Sequence, residues 1–258
     1  MTAMRRARPD PDDAPDARRA VDRDPERASA DALDAGASAG GLTAPVEDYL
    51  KAVYELEFSG EAAATSDIAA RLLLSPASVS GMVRRLAAQG LLDHVPYKGV
   101  RLTADGRRAA LRTLRRHRVL ESYLSTVLGM PWDRVHDEAE ALEHAASDDL
   151  IDRMAAALGD PRFDPHGAPI PTRDGSVDET RHATLLELPV GEAATVMSVS
   201  DDDPAMLRYL AELELRPGCT VRVKARAPFD GPIDVSIGDA VRQVGPTLAR
   251  AVRVAPVP

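Results

Sequence analysis

Ser75-Pro76-Ala77-Ser78-Val79-Ser80-Gly81-Met82-Val83-Arg84-Arg85-Leu86-Ala87-Ala88-Gln89-Gly90 decides how the rest of the chain is read. Serine followed by proline opens a helix. The hydroxyl accepts one of the first unpaired N–H groups, and proline's missing N–H costs nothing in the first turn. Gln89-Gly90 closes that helix. Just upstream, Thr65 and Ser66 offer N-caps for a short helix through Ile68, Ala69 and Leu72. Just downstream, Leu91 to Val95, a turn at Tyr97-Lys98-Gly99, and Val100 to Leu102 read as a small hairpin. Two short helices, a tight turn and then a hairpin describe a winged helix-turn-helix. Ser75, Pro76, Ala77, Ser78 and Ser80 keep the start of the second helix small, so that its N-terminus can approach a major groove. Arg84 and Arg85 follow on that helix, and Lys98 and Arg101 sit on the wing within reach of a phosphate backbone. The competing reading is a plain helical domain whose serines and arginines are only solvated.

Working outward, Pro45 suits the first turn of a helix whose stripe is Val46, Tyr49, Leu50, Val53, Tyr54 and Leu56. Residues 1–42 have almost no bulky apolar side chains and are expected to be a disordered, solvated extension. The winged helix-turn-helix spans residues 43–110. Thr103 caps a long helix to about Leu128, and Gly129-Met130-Pro131-Trp132 breaks it. Asp133 is expected to cap another helix running to about Leu158. Gly159 to Arg181 is a Pro-, Gly- and Asp-rich connection that completes a helical region over 111–180. Short β-type runs follow at Ala194 to Val199, Thr220 to Ala225, Ile233 to Ile237 and Ala251 to Val254, with a helix near Met206 to Leu213. Residues 181–258 are therefore a small β domain, a barrel, and the chain as a whole is mainly α with a small β part.

The 258 residues suffice for two or three cores. A net charge of -9 excludes a wholly basic nucleic-acid coat but not a local basic face. The single cysteine, Cys219, excludes an internal disulfide and a multi-cysteine metal site, and fits a reducing cytoplasm. No apolar run is long enough to span a bilayer.

Val135-His136-Asp137-Glu138-Ala139-Glu140-Ala141-Leu142-Glu143-His144 carries the chemistry. At about 100° per residue, His136, Glu140, Glu143 and His144 share an arc of roughly 100° bordering Ala139, Leu142 and Ala146. On the preceding helix, His117 and Glu121 stand four apart within the stripe of Leu114, Leu120, Leu124 and Leu128. Ionisable groups in an apolar stripe need partners, and a cation shared between two helices would satisfy them together. The alternative is a set of salt bridges to Arg115, Arg116, Arg118 and Arg134. The zinc-protease patterns are missing: Glu140-Ala141-Leu142-Glu143-His144 lacks the first histidine of H-x-x-E-H, and H-E-x-x-H does not occur. No catalytic residue is assigned, and the chain is not read as an enzyme.

Arg115-Arg116-His117-Arg118, Gly129-Met130-Pro131-Trp132, His136 through His144, and Asp164-Pro165-His166-Gly167 with Pro169-Ile170-Pro171 together resemble the diphtheria toxin repressor family of metal-dependent regulators, especially its manganese transport regulator branch. The resemblance implies a winged helix-turn-helix, a helical dimerisation domain and a C-terminal SH3-like domain of the ferrous iron transport A type. It implies a homodimer on a double-stranded DNA operator of metal homeostasis genes. It also implies regulatory metal ligands at Asp48, Glu140, Glu143 and His144, with His117, Glu121 and His136 completing neighbouring metals. Asp203 is implied as an ancillary ligand from the third domain. Iron-sensing members resemble this sequence but carry Met and Cys where it has Asp48 and Glu140. Oxygen donors suit Mn²⁺ better than a soft sulfur site would, so Mn²⁺ is the expected cofactor and Fe²⁺ the alternative. Lys51 departs from those manganese members that carry an acidic ligand there. A winged-helix regulator of a non-metal ligand is the remaining alternative.

Overall fold

The computed structural model describes residues 41–58, 62–95 and 99–257, which belong to one compact unit. The expectation for the N-terminal extension up to residue 40 and the wing turn at Tyr97-Lys98 fall outside the described residues. The element order is α1 (Ala44–Glu57), α2 (Thr65–Arg71), α3 (Pro76–Ala88), β1 (Leu92–Val95), β2 (Gly99–Leu102), α4 (Ala104–Thr126), α5 (Val135–Leu142) and α6 (Asp148–Ala157). There follow β3 (Ala183–Thr184), β4 (Ala193–Val199), α7 (Pro204–Glu212), β5 (Thr220–Arg226), β6 (Ile233–Ile237), β7 (Ala240–Val244), α8 (Pro246–Arg250) and β8 (Val252–Pro256). Among the described residues no helix is long and apolar enough to cross a membrane.

The helix-turn-helix and wing form as the residues dictate. Ser75 accepts the Ser78 N–H at 3.2 Å and so caps α3, while Val79, Met82, Val83 and Leu86 bury its inner face. Antiparallel β1 and β2 pair from Leu92 opposite Leu102 to Val95 opposite Gly99. Helix α2 differs in its start: Ala64 holds the N-cap position and no side chain caps it. Between α2 and α3, Leu73 takes a left-handed backbone (φ 54°) with its side chain 91% exposed.

Thr103 caps α4 by accepting the Gly106 N–H at 3.1 Å. This helix is the hub of the helical part, in contact with α1, α5 and α6. Because α4 is continuous from Ala104 to Thr126, the expected junction at 110/111 lies inside it. The single helix expected from Asp133 to Leu158 is two. Helix α5 ends at Leu142, and Ser147 starts α6 by accepting the Leu150 N–H, with Asp148 and Asp149 in the first turn. A capping serine followed by two acids outcompetes continuation through residues 143–146. Asp133 does not cap α5, since Arg134 holds that position and the Asp133 carboxylate pairs with Arg208.

Residues 181–257 carry one antiparallel sheet in the order β3-β8-β4-β5-β6-β7. Its buried face, including Val196, Val223, Val235 and Val252, packs with Leu207 and Leu210 of α7 and with Leu248 of α8. Register shifts at Val196/Ser198 and Val223/Ala225 bend β4 and β5. With β4 and β5 bent, the six strands wrap the core as the SH3-like domain expected here. Trp132, from the loop after α4, is part of the same core and ties the sheet to the helices.

Candidate metal centre

Helix α1 brings Glu47, Asp48 and Lys51 to one side; α4 brings His117 and Glu121; α5 and the turn after it bring His136, Glu140, Glu143 and His144. Asp48 meets His144, its Oδ1 2.8 Å from Nε2, and Glu143 Oε1 lies 3.5 Å from the same nitrogen. The other His144 nitrogen, Nδ1, is 2.7 Å from Glu47 Oε2. Deeper in, His117 Nδ1 lies 2.6 Å from Glu143 Oε2, while its Nε2 faces Glu121 Oε1 at 3.1 Å and His136 Nδ1 at 3.2 Å. The seven metal-ligand candidates Asp48, His117, Glu121, His136, Glu140, Glu143 and His144 thus form one continuous chain of donors.

Asp203 does not join them. Its carboxylate accepts the Ala205 and Met206 N–H groups as the N-cap of α7. The acidic group that the β region brings to the centre is Asp201, two residues earlier, with Oδ2 3.6 Å from His136 Nδ1. Asp164 and His166 are further members that pattern reading left out. His166 Nε2 donates to the Trp132 carbonyl at 2.8 Å, which turns Nδ1 toward Glu121 Oε1 at 3.6 Å and Asp201 Oδ2 at 3.9 Å. Asp164 Oδ1 accepts the His166 and Ala168 N–H groups and so shapes the turn. Gly167 (φ +87°) lies so close to β4 that a Cβ there would collide with the Met197 carbonyl. That close approach, with Val199 N–H donating to the His166 carbonyl at 2.9 Å, holds the β4 end and Asp201 against the turn. The motif Asp164-Pro165-His166-Gly167 was visible in the sequence, but no helical period linked it to Glu121.

The residues fit a cation. Groups of donors lying within 4.8 Å of one another are Asp48, Glu143 and His144; His117, Glu140 and Glu143; His117, Glu121, His136 and Asp201; and Glu121, Asp164 and His166. Glu121 has no exposed surface; its Oε1 is ringed by imidazole nitrogens of His117, His136 and His166 at 3.1, 3.4 and 3.6 Å, but no well-formed hydrogen bond reaches either of its oxygens, Asp164 Oδ2 or His166 Nδ1. A buried carboxylate needs a cation beside it, which the protonated histidines supply in the metal-free chain and a bound ion would supply in their place. Burial opposes the charge of each histidine, but the carboxylates outweigh it. Glu121 and Glu143 push His117 up to about 9; Asp201 and Glu121 push His136 to about 11; Asp48 and Glu47 push His144 to about 10; Glu121 pushes His166 to about 9. Burial and the neighbouring Glu121 charge push Asp164 up to about 7.

On the winged helix, Ser75, Pro76, Ala77, Ser78 and Arg84 of α3 and Arg101 of β2 are exposed, and Ser80 and Arg85 are half-buried. Some of the polar atoms are already used within the helix, since Ser80 Oγ donates to the Pro76 carbonyl and Arg84 Nε to the Ser80 carbonyl.

Three family models match in succession: the iron dependent repressor N-terminal DNA binding domain over 41–100, the iron dependent repressor metal binding and dimerisation domain over 103–172, and the FeoA domain over 183–256. The iron-dependent repressor IdeR of Mycobacterium leprae is 32% identical over 225 residues, covering 83% of this chain and 97% of that protein. The diphtheria toxin repressor of Corynebacterium diphtheriae is 30% identical over 223 residues, covering 83% and 97%. Among solved structures, a manganese-dependent transcriptional repressor in complex with manganese is 42% identical, with a TM-score of 0.76 over 82% of this chain and all (100%) of that one. ScaR with bound Zn²⁺ is 30% identical, with a TM-score of 0.73 over 82% and 99%. A winged helix-turn-helix joined to a helical, carboxylate- and imidazole-rich centre is the build of a metal-dependent transcriptional repressor rather than an enzyme. The chain belongs to the diphtheria toxin repressor family, the iron-dependent repressors and their manganese-dependent relatives.

Proposed function

We propose that the chain is a manganese-activated repressor of metal homeostasis genes, acting in the cytoplasm as a homodimer on a double-stranded operator. The observation that carries the choice of metal is the donor set beside the DNA-binding domain. Asp48, Glu143 and His144, with Glu140 next to them, offer oxygen and imidazole nitrogen and no sulfur. Such a set suits Mn²⁺ over metals that favour thiolate. Iron remains the second reading, supported by the iron-dependent relatives.

In this reading residues 43–110 bind DNA, 111–180 bind metal and dimerise with α4 shared across the junction, and 181–258 form the SH3-like domain. The regulatory ligands are Asp48, Glu140, Glu143 and His144. His117, Glu121 and His136, joined by Asp164, His166 and Asp201, serve a neighbouring ion. Ser75, Pro76, Ala77, Ser78, Ser80, Arg84, Arg85 and Arg101, with Lys98 on the wing, face the operator. Asp48 is on α1 of the winged domain, whereas its partners are on the helical region. Their contact therefore sets the angle at which each protomer of a dimer offers α3 to a groove. A divalent ion supplies there the positive charge that lets these carboxylates approach one another. Metal and operator then each strengthen the other's binding.

Operator binding titrated with Mn²⁺, Fe²⁺ and Co²⁺ under anaerobic conditions tests this. Glu140→Ala is expected to lose the response to all three. Glu140→Cys is expected to respond less to Mn²⁺ and relatively more to Fe²⁺ or Co²⁺. Full Mn²⁺ activation in Glu140→Ala would remove Glu140 from the site and the manganese argument with it.

A further inference from the structure

Lys51 stands one helical turn after Asp48 on α1, so the two side chains leave the same face of the helix. They do opposite things. Asp48 reaches His144, whereas the Lys51 ammonium lies between two carboxylates, 2.5 Å from Glu140 Oε1 and 2.7 Å from Glu143 Oε1. Lys51 is buried to 8% exposure and the Glu143 side chain to 0%. Those two carboxylates, with His117, are also one of the donor groups close enough to hold an ion of their own. The same oxygens cannot be held by an ammonium and ligate a metal at that point. Like charges at such separation in a poorly solvated pocket repel strongly.

Resting on the metal-activated reading above, we propose that Lys51 is a resident cation of the centre, taking the place of a metal ion between Glu140 and Glu143. The His117–Glu140–Glu143 group is therefore closed to metal by this chain's own side chain. Lys51 uses one lone pair of Glu143 Oε1, and the same oxygen still faces His144 Nε2 at 3.5 Å on its other side, while Glu140 remains 40% exposed toward solvent. Ions are thereby restricted to the Asp48–Glu143–His144 side, with Glu140 at its edge, and to the donors around Glu121. Lys51 sets the number of ions bound, and it neutralises part of the carboxylate charge whether or not metal is present.

The test counts metal rather than DNA binding. Purified full-length protein, Lys51→Met and Lys51→Arg are brought to equilibrium with Mn²⁺ by dialysis, and bound ions per subunit are measured. Methionine matches the length of lysine without its charge, so Lys51→Met is expected to bind one more ion per subunit than the unsubstituted protein. Lys51→Arg, which keeps a cation, is expected to bind the same number as the unsubstituted protein. Equal numbers in all three, or a gain in Lys51→Arg as large as in Lys51→Met, would overturn the proposal. If the unsubstituted protein binds no Mn²⁺ at all, the metal reading fails and this inference with it; binding with an unchanged count in Lys51→Met defeats this inference alone. Manganese anomalous scattering from crystals of the unsubstituted protein gives an independent check that needs no variant to fold. No peak bonded to His117, Glu140 and Glu143 together is expected, and such a peak with Lys51 displaced would overturn the assignment.

Discussion

His117, His136, His144 and His166 offer the same nitrogens to protons and to cations. Their carboxylate neighbours, against the effect of burial, raise all four into the range of about 9 to about 11. The unfolded reference is about 6.5. Each is more basic folded than unfolded, so its ion pairs stabilise the metal-free fold fully below about pH 6.5, and that contribution fades as pH rises through the folded values. A cation must displace those protons, so its binding improves over the same window. The rise in melting temperature produced by Mn²⁺ is therefore expected to grow steadily from pH 6.5 to about pH 9. Melting curves at several pH values, with and without Mn²⁺, measure it. An increment that stays flat would mean that these histidines do not ligate. Reference histidine values alone put the loss of metal binding near pH 6; the paired carboxylates move it upward, and of those pairings the four-residue spacing of His117 and Glu121 shows one, whereas Asp201 with His136 and Asp48 with His144 join distant parts of the chain.

Helix starts decide which acid of the β region faces the centre. Asp203 lies in Asp201-Asp202-Asp203-Pro204, where any of three carboxylates could face the centre. Pro204 in the first turn of α7 makes Asp203 the cap, and the docking of β4 on the Asp164–Gly167 turn gives Asp201 to His136. Asp203→Ala is expected to lose about 1 kcal/mol of stability as α7 loses its cap, with metal binding unchanged. Asp201→Asn is expected to fold as well as the parent but to bind Mn²⁺ about tenfold or more weakly at the Glu121 donors. Denaturant melts and metal isotherms on both variants check this, and the reverse pattern would restore Asp203 to the centre. What the sequence shows follows the same logic. His136, Glu140, Glu143 and His144 were legible because they lie within two turns of chain, and His117 and Glu121 because they interrupt an apolar stripe. Asp164, His166 and Asp201 reach the centre only through tertiary packing at Gly167 and Trp132. Ser147, a plain capping signal, was overlooked because the apolar period runs on across it, and the resulting break leaves Glu143 at the C-cap of α5.

Across the chain, one contact between the β region and the DNA-binding part lies beside the centre. Arg71, at the end of α2, pairs with Glu55 of α1 at 2.6 Å and with Asp202 at 3.3 Å. Asp202 neighbours Asp201, so whatever fixes Asp201 also fixes the partner of a helix-turn-helix residue. The contact is a third to a half exposed, and pairs of that kind contribute about 0–1 kcal/mol. It cannot hold the domains together, but it can bias their orientation, which is the quantity that metal and DNA share. Asp202→Ala is expected to bind as much Mn²⁺ as the parent, since its carboxylate is not among the clustered donors. Its operator affinity without metal should be unchanged. The gain in operator affinity on adding Mn²⁺ should fall about twofold, as a coupling of about 0.5 kcal/mol requires. Arg71→Ala should lose the same increment, and the double variant no more than either alone, because both remove one contact. An unchanged Mn²⁺-dependent gain in all three would mean that the winged helix senses the centre through α1 and Asp48 alone, with the β region contributing Asp201 and nothing further to the switch.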